Sequence, residues 1–129
     1  MLAVDTNVVV RFLTRDHPEQ AARAKQLIDD NDVLVATTVL LESEWVLRSR
    51  YGFRRQETVA ALRAFAGLPR VTLEDARLTA QALNWAEHGL DFADALHLAR
   101  AEPCDAFVSF DRRLATASRA VSGVPVRAP

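Results

Sequence analysis

The stretch Val33-Leu34-Val35-Ala36 decides the fold class of this chain, because it holds four consecutive apolar residues between polar flanks. A continuous apolar run of this length is typical of a strand that is covered on both faces in a parallel sheet. Further short strand candidates occur at residues 2–4, 106–109 and 124–126. We therefore expect the core to be built around short parallel strands.

Helical patterns fill the intervals between these strand candidates. Apolar periodicity and capping residues predict helices at about residues 8–13, 18–28, 37–50, 56–66, 75–88, 91–102 and after 111. The caps expected for three of these helices are Thr6 or Asn7, the pair Asp16 and Glu19, and the pair Thr72 and Asp75. Strands that alternate with helices predict a single three-layer α/β/α domain over residues 1–129, with a short, mainly parallel central sheet. In such sheets, ligands bind at the carboxyl ends of the strands.

Composition narrows the class of protein. The 129 residues carry a net charge of −1, which argues against a generally basic nucleic-acid binder. The longest uncharged stretch, residues 33–41, is far shorter than the roughly 20 residues of a membrane span. No basic segment precedes an apolar run, so no signal peptide is expected. The single cysteine, Cys104, excludes a disulfide-stapled class and favours a cytoplasmic location.

Two acidic residues lie where the strand candidates end. Asp5 follows the first strand, and Asp111 lies two residues beyond the strand at 106–109. Because the carboxyl ends of parallel strands form the ligand-binding edge, both residues are candidates for a functional site. The alternative for each is ordinary turn chemistry, since aspartate is common where a strand becomes a loop.

Glu42 is a third candidate, because its helical neighbours Thr38, Val39, Trp45 and Val46 include no cation. A carboxylate on an apolar stripe is costly to bury unless it is paired or binds a metal ion. Glu44 has Arg48 four residues further on and is expected to form an ordinary surface pair. The alternative for Glu42 is an exposed position on a helix that presents a different face.

Asp91 and Asp94 open the next helix. Asp91 is placed to cap it, which leaves Asp94 without a structural role among apolar neighbours. If Asp5, Glu42, Asp94 and Asp111 converge at one edge of the sheet, their charges repel and a divalent cation would relieve them. Oxygen ligands alone favour Mg²⁺ or Mn²⁺ over Zn²⁺. Such a site is suited to metal-assisted hydrolysis of a phosphodiester.

Four segments that contain these acids together resemble PIN-domain nucleases. They are, in order, Val4-Asp5-Thr6-Asn7, the stretch from Leu40 to Arg48 with Glu42 in its acidic position, the stretch from Asp91 to Ala99 with Asp94 as its core acid, and Phe107-Val108-Ser109-Phe110-Asp111. Their order and spacing, and the chain length, are similar to those of the small VapC-type toxins of bacterial toxin–antitoxin modules. The resemblance covers essentially the whole chain.

The resemblance implies an α/β/α endoribonuclease that uses Mg²⁺ or Mn²⁺ bound by Asp5, Glu42, Asp94 and Asp111. Asn7 and Ser109 match supporting polar positions, and Asp91 matches an auxiliary acid or remains only a helix cap. The resemblance also implies a homodimer and a small cognate antitoxin that covers the site. Some members have a further acid after the fourth motif, where this chain has Thr116 and no acidic side chain follows Asp111.

RNA binding would need cations near the site. The candidates are two groups of arginines, Arg48, Arg50, Arg54 and Arg55 in one and Arg112 and Arg113 in the other. A guanidinium group pairs with phosphate in a bidentate manner, but cations are also common at the exposed end of a helix. The alternative function is a catalytically inactive PIN-like module that binds RNA or protein. The presence of all four acids argues against that alternative.

Overall fold

The chain forms seven helices and five short strands in the computed structural model, which describes all residues from 1 to 129. The elements are β1 (Leu2–Ala3), α1 (Thr6–Thr14), α2 (Pro18–Asp30), β2 (Val33–Val35), α3 (Thr37–Ser49), α4 (Arg55–Ala66), β3 (Val71–Leu73), α5 (Ala76–Glu87), α6 (Phe92–Arg100), β4 (Phe107–Val108), α7 (Arg112–Val121) and β5 (Val126–Arg127). They group into two compact units, Met1–Ala76 and Arg77–Pro129. No helix is both long enough and apolar enough to span a membrane.

The first unit is built on a parallel sheet in the order β1-β2-β3. The central strand, β2, pairs Val33 with Leu2 on one side and with Val71 on the other. Val33 and Val35 are fully buried, as the continuous apolar run predicts. Because all three strands run the same way, the chain segments that follow them, beginning at Val4, Ala36 and Glu74, leave the sheet at one edge.

Helices α1, α2, α3 and α4 supply the rest of the core of this unit. Helix α1 packs against both α2 and α3, and α3 packs against α4. The side chains of Val9, Leu40 and Leu47 are almost completely buried, and the rings of Phe12 and Phe65 lie 5.6 Å apart in a tilted arrangement. Such tilted aromatic pairs stabilise a core beyond the apolar area that they bury. Helix α1 is therefore held firmly at the edge of the sheet where Asp5 lies.

Strand β3 corrects the prediction that Thr72 and Asp75 cap a helix. Val71–Leu73 pairs with β2, and α5 begins only at Ala76. A three-residue strand is too short to show the alternation that would reveal it in the sequence. It forms because β2 offers unpaired backbone groups on that side, which is a tertiary effect.

Two helix caps also differ from prediction. Helix α1 is capped by Asp5, whose carboxylate accepts from the Thr6 backbone N–H, and not by Thr6 or Asn7. Helix α2 is capped by the ring of His17, which accepts from the Gln20 N–H, and not by the pair Asp16 and Glu19. Asp16 is unavailable as a cap because it accepts hydrogen bonds from Thr14, Tyr51 and Arg11 instead.

The second unit contains a two-stranded parallel sheet, in which Phe107 pairs with Val126 and Val108 with Arg127. Its core is formed by apolar side chains of α5, α6 and α7, chiefly Leu83, Trp85, Phe92, Leu96, Leu98 and Leu114. The α5–α6 turn passes through Gly89 at φ +119°, a conformation that favours glycine. Asp91 then caps α6 by accepting from the Asp94 N–H, which confirms its predicted structural role.

Candidate active site

Helix α3 buries a different face from the one that the sequence predicts. Leu40, Ser43, Glu44 and Leu47 point inward, whereas Glu42 is exposed and Trp45 is 52% exposed. The prediction that Glu42 lies on a buried apolar stripe is therefore wrong, and so is the prediction that Glu44 is a surface residue. The buried faces of α3 are set by α1 and α4, which pack against it.

Glu44 is only 6% exposed and forms an ion pair with Arg48, one helical turn further on. Two hydrogen bonds join the guanidinium group to the carboxylate. A buried carboxylate is tolerated when it is paired in this way. Glu44 and Arg48 thus form a structural pair, and Glu42 is the carboxylate of α3 that faces solvent.

Thr6 brings Glu42 and Asp5 together. Its backbone N–H donates to Asp5 Oδ1 at 2.7 Å, and its hydroxyl donates to Glu42 Oε1 at 2.5 Å. Thr6 is itself only 5% exposed, so its position is fixed by packing. One buried residue therefore orients two exposed carboxylates at the carboxyl end of β1. The sequence marks Thr6 only as a candidate helix cap, because its contact with Glu42 spans 36 positions of the chain.

Asn7 follows in the first turn of α1 and is exposed. It lies at one end of a cleft of about 450 Å³ between α1 and α2. The residues that line the cleft are Asn7, Val8, Arg11, Gln20, Arg23, Ala24 and Leu27. Its surface is mostly apolar, with two guanidinium groups among the lining residues.

Asp91, Asp94 and Asp111 belong to the second unit, where their charges act on one another. The pKa of Asp94 is raised above its ordinary value, first by partial burial and then by the negative charges of Asp91 and Asp111. His97, one turn further along α6, opposes this effect in part. Like charges near a half-buried carboxylate are an arrangement that a bound cation would relieve.

Asp111 is held rigidly at the start of α7. Its Oδ1 accepts from the backbone N–H groups of Arg113 at 2.9 Å and Leu114 at 3.1 Å, so it caps the helix. The Ser109 hydroxyl accepts from the Asp111 backbone N–H at 3.0 Å. Ser109 thus supports the backbone of Asp111 and not its carboxylate.

The rings of His97 and Phe107 are in contact, although the residues are ten positions apart in the chain. Their rings are stacked with centroids 6.4 Å apart and planes 10° from parallel. The contact ties α6 to β4 at the side of α6 that carries Asp94. No local sequence signal marks this contact, because the two residues belong to separate elements.

The arginine candidates differ in their contacts and in their exposure. Arg48 pairs with Glu44, and Arg54 lies 3.3 Å from Glu57. Tyr51, which follows Arg50 in the chain, donates a hydrogen bond to Asp16 and accepts one from Arg11. The exposed arginines of the two groups are Arg50, Arg54, Arg55, Arg112 and Arg113.

The donor chemistry of these residues fits a hard divalent cation. Carboxylate oxygens of Asp5 and Glu42 in one unit, and of Asp91, Asp94 and Asp111 in the other, are ligands that Mg²⁺ and Mn²⁺ prefer. No group of three or more His, Cys, Asp or Glu side chains is spaced as a metal site requires. The fit therefore rests on donor type and on the negative charges of Asp91 and Asp111 that act on Asp94.

Comparisons with known proteins identify the family of the chain. The family model of the PIN domain matches residues 2–120, which include every acidic candidate. A comparison with curated proteins finds no significant match. Among solved structures, VapC20 of Mycobacterium tuberculosis, described as a sarcin-ricin loop cleaving toxin, is 25% identical with a TM-score of 0.46 over 91% of this chain and 95% of that one. A TM-score this low adds nothing to the family assignment. The match over nearly the whole chain confirms the predicted α/β fold class and shows that the chain belongs to the PIN domain family.

Proposed function

We propose that the protein is an Mg²⁺- or Mn²⁺-dependent endoribonuclease and the toxin of a toxin–antitoxin module. The observation that carries the proposal is that each acid selected from the sequence lies close to another in its own unit. Asp5 and Glu42 share Thr6, and Asp94 lies in the field of Asp91 and Asp111. A carboxylate of perturbed pKa with other acids close to it is typical of functional sites.

The acids would hold the cation, and the surrounding groups would hold the acids. A divalent cation would supply positive charge to activate water and to stabilise the negative charge that develops on the phosphate. Thr6 orients Glu42, and the α7 backbone orients Asp111. Ordered partners of this kind keep metal ligands in place, and their loss commonly lowers activity 10- to 100-fold, as an order of magnitude.

RNA would contact the exposed arginines, of which Arg112 and Arg113 directly follow Asp111. Such contacts with phosphates position a nucleic acid without reading its sequence. A net charge of −1 is compatible with this function, because the acids would be offset locally by the cation. We expect the protein to act on cytoplasmic RNA and to form a homodimer.

The cleft between α1 and α2 supports the proposal of an antitoxin partner. It is mostly apolar, it begins at Asn7 beside the Asp5–Glu42 pair, and Arg11 and Arg23 line it. An extended or helical peptide segment with apolar and acidic side chains would complement this surface. A partner seated there would lie next to the carboxylates of the first unit.

Cleavage of a mixed RNA pool tests the proposal. We expect cleavage with millimolar Mn²⁺ or Mg²⁺ and none with EDTA. Asp5→Asn and Asp94→Asn should abolish it while the circular dichroism spectrum stays unchanged. Asp30→Asn and Asp105→Asn remove exposed acids outside the site and serve as matched controls. Full activity in folded Asp94→Asn protein would overturn the assignment of the site.

Thermal stability gives a second test that does not depend on finding the right RNA. Bound cation stabilises the folded state by an amount that grows with the logarithm of its concentration. We expect millimolar Mn²⁺ to raise Tm by a few °C in the wild type and by much less in Asp94→Asn. An inactive PIN-like module, the alternative function, would bind RNA or protein but would not cleave RNA in the first test.

A further inference from the structure

Phe110 is the most exposed large apolar residue of the structure, with 85% of its surface in solvent. A phenyl ring in this position contributes almost nothing to the core. Single apolar side chains on a surface are common, so exposure alone says little about function. The position of Phe110 in the fold is more informative.

The backbone on both sides of Phe110 is fixed. The Ser109 backbone N–H donates to Arg127 O at 3.0 Å, which anchors the end of β4 to β5. Asp111 is anchored by its cap of α7 and by the Ser109 hydroxyl. The link from β4 to α7 is therefore rigid, and it presents the Phe110 ring to solvent in a defined place. An aromatic residue mounted in this way loses little conformational entropy when it binds a ligand.

The groups beside Phe110 define the chemistry that would recognise it. Asp111 follows directly and is a proposed metal ligand, and Arg112 and Arg113 come next, both exposed. Phe110, Arg112 and Arg113 are thus three exposed residues within four positions of the chain. A flat apolar face and guanidinium groups are together suited to a nucleobase and its flanking phosphates. In a duplex the faces of the bases are covered by their neighbours, so the ring could stack only on an unpaired base.

We infer that Phe110 stacks on the base next to the scissile phosphate and thereby fixes the position of the RNA strand at the site. This inference rests on the proposed function, because it places the base next to Asp111, a proposed metal ligand. Phe110 would touch substrate directly and would determine the position of the strand at the site. The two arginines would hold the phosphates on either side of the stacked base.

Binding of fluorescein-labelled RNA in EDTA tests the inference without requiring cleavage. The loss of one base–aromatic stack should weaken binding of single-stranded RNA about 5-fold or more in Phe110→Ala. Phe110→Leu keeps the apolarity without the aromatic face and should weaken it similarly, whereas Phe110→Trp should retain binding. Val108→Ala, which trims another exposed apolar residue of the same segment, is the matched control and should bind as the wild type does.

Oligonucleotides with one abasic position near the cleavage site identify the base. With the wild type, one abasic position should reduce kcat/KM as strongly as Phe110→Ala reduces it on intact RNA. Phe110→Ala on the abasic RNA should show no further loss. Because Phe110 is exposed, none of these variants should lower Tm appreciably. If Phe110 had only a structural role, the losses caused by Phe110→Ala and by the abasic position would add.

Failure of the inference can be told apart from failure of the proposed function. If the wild type cleaves RNA but Phe110→Ala binds and cleaves equally well, the base-stacking role is overturned and the nuclease stands. If Phe110→Ala weakens only the binding of an inhibitory protein partner, the residue is a protein contact and the inference is also overturned. If the wild type cleaves no RNA with either metal, the proposed function fails, and the binding assay still decides whether Phe110 stacks on bases.

Discussion

Thr6 donates its hydroxyl to the carboxylate of Glu42 and thereby joins the first turn of α1 to α3. The same residue donates its backbone N–H to Asp5. Thr6 is thus a positioning residue for two of the proposed metal ligands, although it would bind neither cation nor substrate itself. This relationship leads to the first prediction.

Thr6→Val should lower kcat/KM about 10-fold or more, because Glu42 loses the partner that orients it while the volume of the side chain is kept. Thr6→Ser should restore most of the activity, since it keeps the hydroxyl. Cleavage of a labelled oligonucleotide measures both variants. Thr72→Val, which changes an exposed threonine of β3, is the control. Unchanged kinetics in a folded Thr6→Val protein would show that Glu42 needs no orientation from Thr6.

Substitutions at Glu42 and Glu44, which lie two positions apart on α3, should have different effects: the first on activity and the second on stability. Glu42→Gln should abolish cleavage and change the free energy of unfolding by less than about 0.5 kcal/mol, since Glu42 is exposed. Glu44→Ala should cost about 1–3 kcal/mol, because it leaves a cavity and removes the partner of Arg48. Urea denaturation and cleavage assays measure the two effects. The reverse pattern would show that the face of α3 has been assigned wrongly.

Asp94→Asn should raise Tm at neutral pH in metal-free buffer. Folding raises the pKa of Asp94 above the ordinary value of 3.8, so ionisation of this group disfavours the folded state. The wild type therefore loses stability relative to Asp94→Asn as pH rises from below 3.8. The difference in stability reaches its full size once pH exceeds the raised pKa of Asp94 in the folded protein. We expect a gain of a few °C at pH 7.5 and no gain at pH 3. A lower Tm at pH 7.5, with Asp105→Asn unchanged, would contradict this prediction.

Asp16 should contribute stability with the opposite dependence on pH. Hydrogen bonds from Tyr51 and Thr14, followed by the charge of Arg11, lower the pKa of Asp16 below 3.8. A lowered pKa stabilises the folded state above the unfolded value, and this contribution is lost as pH falls through the folded value. Asp16→Asn should therefore lower Tm at pH 7 and differ less from the wild type as pH falls below 3.8. Tyr51→Phe, which removes the first of these hydrogen bonds, should reproduce part of the loss.

Asp30→Asn is the control for the Asp16 prediction, because Asp30 is an exposed acid at the end of α2. It controls for the loss of one exposed negative charge. A Tm of Asp16→Asn that equals the wild-type value at pH 7 would show that the contacts of Asp16 with Tyr51 and Thr14 add nothing measurable to folding.

The sequence by itself determined the features that depend on local pattern. The apolar run at residues 33–36 predicts the buried strand β2, because burial on both faces requires an uninterrupted apolar stretch. Asp91 is recognisable as a helix cap because Asp94, whose backbone N–H donates to it, lies only three residues further along the chain. The four acids are predicted in the same way, because each lies within a short motif that resembles those of the family, and their role stays a prediction.

Tertiary structure alone decided the features that depend on distant partners. Strand β3 exists because β2 offers it hydrogen bonds, and three residues carry no periodicity of their own. The rotation of α3, which exposes Glu42 and buries Glu44, is set by the helices packed against it. The link from Thr6 to Glu42 joins residues 36 positions apart. Local sequence specifies which chemical groups are present, whereas packing between distant segments specifies which of them meet.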